Sequence, residues 1–88
     1  MPGEGDDLNR DAAEPLYEQL ARVLRRKIES GEIASRVPSE PSLVQRYDVS
    51  RGTAGRAVQI LVDQGLVRYS SGRGAFVIPE NERAPRQP

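Results

Sequence analysis

The sequence predicts a small, mainly α-helical domain that ends in an antiparallel β-hairpin. Two stretches, 15–31 and 50–65, carry apolar residues at helical spacing and are flanked by residues that start and stop helices. After Gly65 the pattern changes to two β-prone runs separated by a glycine-rich loop. A chain of 88 residues has room for one hydrophobic core.

Charge is distributed unevenly although the formal net charge is zero. Residues 1–14 contain five acidic residues and one basic residue, a net charge of −4, whereas residues 15–88 contain 12 basic and 8 acidic residues, a net charge of +4. We expect 1–14 to be a disordered acidic leader and 80–88 a disordered polar tail, because neither has apolar residues at a regular period. The folded domain is then 15–79.

The missing residue types exclude several functions. With no Cys and no His, disulfides, Cys–His zinc sites and Ser-His-Asp triads cannot form, so we expect neither an enzyme nor a bound metal or cofactor. No apolar run approaches the roughly 20 residues that span a bilayer, and we expect a cytoplasmic protein.

The first helix begins at Pro15 and ends near Gly31. Its apolar stripe consists of Tyr17, Leu20, Ala21, Leu24 and Ile28. The basic run 25–27 has two interpretations, a solvated helix face or a phosphate contact, and the solvated face is favoured.

A second helix is predicted from Ser39, which can cap it, with Pro41 in its first turn and Leu43, Val44 and Tyr47 as its buried face. Asp48 tolerates a positive φ and can turn the chain into a third helix. This arrangement is a helix-turn-helix.

The third helix is capped by Ser50 and closed by Gly65. One face is apolar, with Ala54, Ala57, Val58 and Leu61, and the opposite face carries Gly52, Arg56, Gln59 and Asp63. The exposed face opens with Arg51, Gly52 and Thr53, which offer a cation, bare backbone and a hydroxyl at the positive end of the helix dipole. These groups suit phosphate and base-edge contacts, so we predict a DNA-recognition helix.

Two strands, 66–69 and 75–78, are predicted around the loop 70–74. Within that loop Arg73 lies between two glycines and could reach a phosphate backbone or a minor groove. In the alternative interpretation the glycines only close the turn.

Five segments, 15–20, 37–40, 47–53, 64–67 and 72–77, resemble in order and spacing the winged-helix domain of the gluconate-operon-repressor (GntR) family of bacterial transcription regulators. The resemblance implies a winged helix-turn-helix of three helices and a C-terminal β-hairpin. It also implies that the third helix enters the major groove of double-stranded DNA and that the hairpin wing approaches the minor groove. We expect a sequence-specific regulator that acts as a repressor.

The resemblance places the family's DNA contacts on the caps, the first turn of the third helix and the wing. Together with the exposed helix face, it gives eight predicted DNA-binding residues: Ser39, Ser50, Arg51, Gly52, Thr53, Arg56, Arg73 and Gly74.

Three departures from the family pattern affect this transfer. Pro41 stands where the family has a basic residue, and Gly55 stands where a second arginine is common, with Arg56 about 100° further round the helix. The connection 33–37 is two residues shorter than the usual turn, so we expect a tightened turn.

Family members continue into a domain that binds a small effector and dimerises. We therefore expect no effector site here and a weak homodimer that forms mainly on DNA.

Three alternatives stay open at this point. The chain is either a stand-alone regulator, which is slightly favoured, or the DNA-binding domain of a longer regulator. A winged helix can also serve as a protein-contact module, but the segment 51–53 lacks the aromatic residues expected in a protein interface. An enzyme has almost no support, since Glu40 and Asp63 are ordinary helix charges.

Overall fold

Three helices and one hairpin make up the computed structural model, which describes residues 8–83. The helices are α1 (Leu16–Ser30), α2 (Glu40–Tyr47) and α3 (Arg51–Asp63), and the strands are β1 (Val67–Ser70) and β2 (Gly74–Val77). A single 3₁₀ turn, Glu80–Glu82, follows. The predicted order of elements is confirmed, with each strand displaced by one residue or less at its ends.

The helix ends form at the residues that the sequence marked. Ser39 Oγ accepts a hydrogen bond from the Ser42 N–H at 3.3 Å, and Ser50 Oγ accepts one from the Thr53 N–H at 3.0 Å. Asp48 takes a left-handed conformation, with φ 55°, and this lets the chain reverse between α2 and α3. Both N-terminal caps and the helix-turn-helix geometry are therefore confirmed.

The core lies where α1 packs across α3 and α2 closes one side. Four leucines contributed by the three helices have essentially no exposed surface: Leu20, Leu24, Leu43 and Leu61. The predicted stripe of α3 is buried in full, because Ala54 and Ala57 are small enough for α3 to lie close to its neighbours. The opposite face of α3 is thereby left in solvent.

The hairpin gains a short third partner that the sequence did not predict. Val67 pairs with Val77 and Ser70 pairs with Gly74 in the antiparallel hairpin. On the outer side of β2, Arg36 forms a bridge with Phe76, and the Val37 N–H donates to the Ala75 carbonyl at 2.9 Å. The connection between α1 and α2 is thus hydrogen-bonded to the hairpin.

The segment before α1 differs from the expected disordered leader over residues 8–14. Leu8 packs against the core, and the backbone of Asn9 is hydrogen-bonded to the side chain of Gln19. At the other end, Arg83 Nε donates to the Ile78 carbonyl at 2.8 Å. The rest of the expected leader and tail, 1–7 and 84–88, lies outside the described residues.

Between residues 8 and 83, no helix is long and apolar enough to cross a membrane.

Candidate nucleic-acid interface

The first turn of α3 presents backbone and side-chain donors to solvent. Arg51 and Gly52 are exposed, and Thr53 is half-buried. Ser50 Oγ donates to Thr53 Oγ1 at 3.0 Å while it caps the Thr53 N–H, so the two hydroxyls are held together at the helix start. The Ser50 O–H and the Thr53 N–H are used within this cap. The Thr53 hydroxyl and the first backbone N–H groups of the helix remain as donors at the positive end of the helix dipole, where an anion is stabilised.

Arg51 has no hydrogen-bond or ion-pair partner among residues 8–83. Its guanidinium therefore keeps all five N–H donors for an external acceptor. A planar donor pair of this kind matches the O6 and N7 atoms of guanine or two phosphate oxygens.

Four of the eight predicted residues line one surface depression of about 280 Å³: Ser50, Gly52, Thr53 and Arg56. Arg56 also has a partner within the protein, since its guanidinium carbon lies 5.5 Å from the centroid of the Tyr17 ring on α1. Such a cation–π contact is worth about 0.5–1 kcal/mol at an exposed site. Arg56 thus lies between the Tyr17 ring on α1 and the first turn of α3.

Gly55 makes room for an acidic side chain from α2. A Cβ atom at this position would lie 3.0 Å from Oε2 of Glu40, which is closer than nearly all real contacts. Glu40 follows the cap residue Ser39, itself exposed at the start of α2. The carboxylate of Glu40 on α2 therefore lies beside Gly55, the position where the family resemblance led us to look for an arginine.

The wing carries Arg73 at its tip. Its side chain is exposed and has no ion-pair partner in the described chain, while its carbonyl accepts a hydrogen bond from Arg36 Nη2 at 2.7 Å. Arg36 also lies over the Phe76 ring, 5.7 Å from its centroid. Gly74 has φ 110°, which L-residues rarely adopt, so glycine is required for this turn. The backbone of the wing tip is thus held by Arg36, and the Arg73 side chain is left available.

Two residues of this region were missed by the sequence analysis. Arg36 was passed over because its role depends on a bridge between distant segments. Tyr69 was assigned only to a β-prone run, yet its side chain is 53% exposed and lines a second depression of about 420 Å³ with Arg73. Burial of part of the ring, with the nearby charge of Glu40, raises the pKa of Tyr69 above its ordinary value.

No cluster of three or more metal-ligating side chains occurs in the part of the chain that the structure describes.

The sequence model of the protein family described as bacterial regulatory proteins, gntR family, matches residues 16–77. The chain belongs to this family. All eight predicted DNA-binding residues fall inside the matched range, and the segment 8–15 precedes it. The matched family is one of regulatory proteins, and the relatives named below are repressors, so none of these descriptions is that of an enzyme.

Two relatives illustrate the similarity. The histidine utilization repressor of Klebsiella aerogenes is 40% identical over 70 residues, which covers 77% of this chain and 29% of that protein. The HTH-type transcriptional repressor NagR of Bacillus subtilis is 33% identical over 81 residues, which covers 89% of this chain and 33% of that protein. The chain therefore spans about a third of the length of the curated relatives it matches.

The solved structures give the same result. The DNA-binding domain of AraR in complex with operator ORE1 matches with a TM-score of 0.71 and 34% identity, covering 81% of this chain and 89% of that one. YtrA from Sulfolobus acidocaldarius, a GntR-family transcription factor, matches with a TM-score of 0.75 and 26% identity. The match covers 84% of this chain and 80% of that one. The fold is thus the winged helix of gntR-family DNA-binding domains, which confirms the predicted fold class.

Proposed function

We propose that this chain binds double-stranded DNA sequence-specifically and acts as the DNA-reading part of a gntR-type transcriptional repressor. The observation that carries the proposal is Arg51: it is exposed at the first turn of a capped helix and lacks an ion-pair partner within residues 8–83. The operators bound by AraR and the repressor names of the relatives support the same function.

The roles of the other residues follow from their placement. In the proposed complex α3 enters the major groove with Arg51 reading a guanine, while Ser50, Gly52 and Thr53 contact the adjacent phosphate. Ser39 brings the N-terminus of α2 to a second phosphate. Arg73 and Gly74 approach the minor groove, where charge and groove width are read more than base identity. Arg56 is held partly by the Tyr17 ring but keeps its N–H donors, so we assign it a supporting contact beside the first turn.

A single module of this size buries only about 600–1,000 Å² on DNA, which limits its affinity for one half-site. We propose that the protein acts in the cytoplasm, is mostly monomeric in dilute solution and pairs on DNA, with half-sites about one helical turn apart or closer. Sedimentation tests this directly, and a tight dimer in the absence of DNA would contradict it.

Selection of bound duplexes from a random pool is the experiment that tests DNA reading. We expect an enriched half-site containing a guanine, and the spacing of any second half-site gives the geometry of pairing. A pool that shows no enrichment after repeated rounds would contradict sequence-specific binding.

Salt titration of the selected duplex separates DNA binding from protein contact. If about 4–6 phosphates are neutralised, log affinity falls with log salt at a slope of roughly −4 to −5 per monomer. A slope near zero would favour the module for protein contact instead.

A further inference from the structure

We infer that Arg10 is a positioning residue for the recognition helix. The segment 8–14 precedes the range matched by the family, yet Arg10 within it is bonded to the turn between α2 and α3. The inference rests on the proposed function only for its effect on DNA affinity. The brace itself is a property of the free protein.

The segment is anchored to α1 by one buried amide. Gln19 is only 5% exposed, and its Oε1 accepts a hydrogen bond from the Asn9 N–H at 2.7 Å. Its Nε2 donates to the Asn9 carbonyl at 2.9 Å and to the Glu14 carbonyl at 2.8 Å. A buried amide that lost these partners would leave polar groups unsatisfied, so Gln19 favours the ordered segment. Leu8 adds an apolar contact with the core.

Arg10 extends from this anchored segment to the end of α2. Its Nη2 donates to the Tyr47 carbonyl at 2.9 Å and to the Asp48 carbonyl at 2.6 Å, and it lies 3.9 Å from the Asp48 carboxylate. Carbonyls at a helix C-terminus have no partners within the helix, and a cation there is favoured by the helix dipole. The guanidinium thus satisfies the backbone at the point where the chain reverses.

The carbonyls that Arg10 contacts lie next to the start of the recognition helix α3. Asp48 is the residue with positive φ, and only Val49 separates it from Ser50, the cap of α3. The N–H groups of Asp48 and Val49 both donate to the Val44 carbonyl, and the distance from the Val49 nitrogen to that oxygen is 3.4 Å. The turn therefore has few strong hydrogen bonds of its own. Arg10 therefore restrains the turn from which α3 starts, and with it the position of Arg51.

The test compares Arg10→Ala with Arg10→Lys and with a matched control, Arg22→Ala. Arg22 is another exposed arginine held by the same segment, through an ion pair with Glu14, but it does not touch the turn. Because one nitrogen of Arg10 serves both carbonyls, the single ammonium of lysine can replace it in part. Amide hydrogen exchange is measured on the free proteins, and duplex affinity is measured well below the melting temperature.

For Arg10→Ala we expect amide exchange at Asp48 and Val49 to rise roughly three- to tenfold, with the amides of the α1 core unchanged. Affinity for the selected duplex should fall by a similar factor, with the salt slope unchanged because no phosphate contact is lost. Arg10→Lys should recover part of both effects, and Arg22→Ala should show neither.

Three results would overturn the inference. If Arg10→Ala leaves amide exchange in the turn unchanged, Arg10 does not brace the turn. If exchange rises but DNA affinity stays at the wild-type value, the brace has no effect on DNA binding. A salt slope reduced by about 1 would make Arg10 a direct phosphate contact instead. If the wild-type chain binds no duplex, the proposed function fails, while the exchange measurement still decides whether Arg10 braces the turn.

Discussion

The basic side chains of α1 and those at the candidate interface are arranged differently. On α1, Arg22 pairs with Glu14, Arg25 pairs with Glu29 at 3.1 Å, and Lys27 pairs with Glu32 at 3.1 Å. Arg51 on α3 and Arg73 on the wing have no ion pair in the described chain. Positive charge is therefore paired at these positions of α1 and available at Arg51 and Arg73.

The difference shows why net charge says little about nucleic-acid binding in this protein. An arginine already paired with a carboxylate brings little net charge to a phosphate, whereas an unpaired arginine releases counterions from DNA. Exposed ion pairs are worth only about 0–1 kcal/mol, so those on α1 add little to stability either. The placement of the acidic residues thus leaves Arg51 and Arg73 as the cations that we propose for DNA contact. Within the run 25–27, the Lys27 side chain is only 12% exposed, so this run is not a uniformly solvated face.

The largest effect is expected from Arg51→Ala. It should cost about 1–3 kcal/mol on the selected duplex and much less on random DNA, because the bidentate contact with guanine is lost. Fluorescence anisotropy with both duplexes measures the ratio. Arg25→Ala is the matched control and should change neither affinity appreciably. If Arg51→Ala leaves selectivity intact, Arg56 or the wing reads the bases.

The next effect is expected from Arg73→Ala, at about 1 kcal/mol on selected and random duplexes alike, with the salt slope reduced by about 1. Arg68 is a control in the same hairpin because it is paired with Glu82 at 3.5 Å. Arg68→Ala should leave the slope nearly unchanged. If Arg73→Ala and Arg68→Ala give equal salt slopes, the presence of an ion pair within the protein does not decide which arginine contacts DNA.

A smaller effect, on stability, is expected from Gly55→Ala. Alanine is favoured over glycine in a helix interior by about 0.8–1 kcal/mol, and the displaced Oε2 of Glu40 is the end of a flexible side chain. The net change should be a stabilisation of about 0.5–1 kcal/mol, measured by thermal unfolding. Gly52→Ala is the control, since its Cβ would meet only Ser50 Oγ at 3.9 Å. A lower melting temperature for Gly55→Ala alone would mean that Glu40 cannot move.

The smallest effect concerns the ion pair on the α1 side. The hydrogen bond from Arg22 lowers the pKa of the Glu14 carboxyl, so Arg22→Ala should return that pKa to its ordinary range in an NMR titration. Because the folded-state pKa is the lower one, the pair stabilises the fold above the unfolded-state pKa. Its contribution is lost as pH falls through the folded value. An unshifted Glu14 pKa in the wild-type chain would show that the pair is not formed in solution.

Features determined by nearby residues could be predicted from the sequence. The caps Ser39 and Ser50 and the positive φ of Asp48 depend on local conformational preferences and on hydrogen bonds to the next turn, so residue types alone indicate them. The exposure of Arg51 followed from the apolar stripe on the opposite face of α3.

Features that join distant segments could not be predicted. The Arg10 contacts with the end of α2 span 37 and 38 residues, and a polar, acidic segment gives no periodic signal that would indicate them. The bridge between Arg36 and Phe76 involves a stretch too short to be recognised as a strand. The contact between Arg56 and Tyr17 requires the crossing of α1 and α3 to be known first.

The bridge at Arg36 also sets the distance between the wing and the helix-turn-helix. Because the Val37 N–H is bonded to Ala75 and the Arg36 side chain is bonded to the Arg73 carbonyl, the wing is fastened to the chain that leads into α2. In the proposed complex, the separation between the groove that α3 enters and the backbone that the wing contacts would then be set when the protein folds. Because phosphates recur at every base pair whatever the sequence, the wing would find a phosphate at that separation on any duplex. The same bridge would therefore support binding to non-specific DNA as well as to an operator.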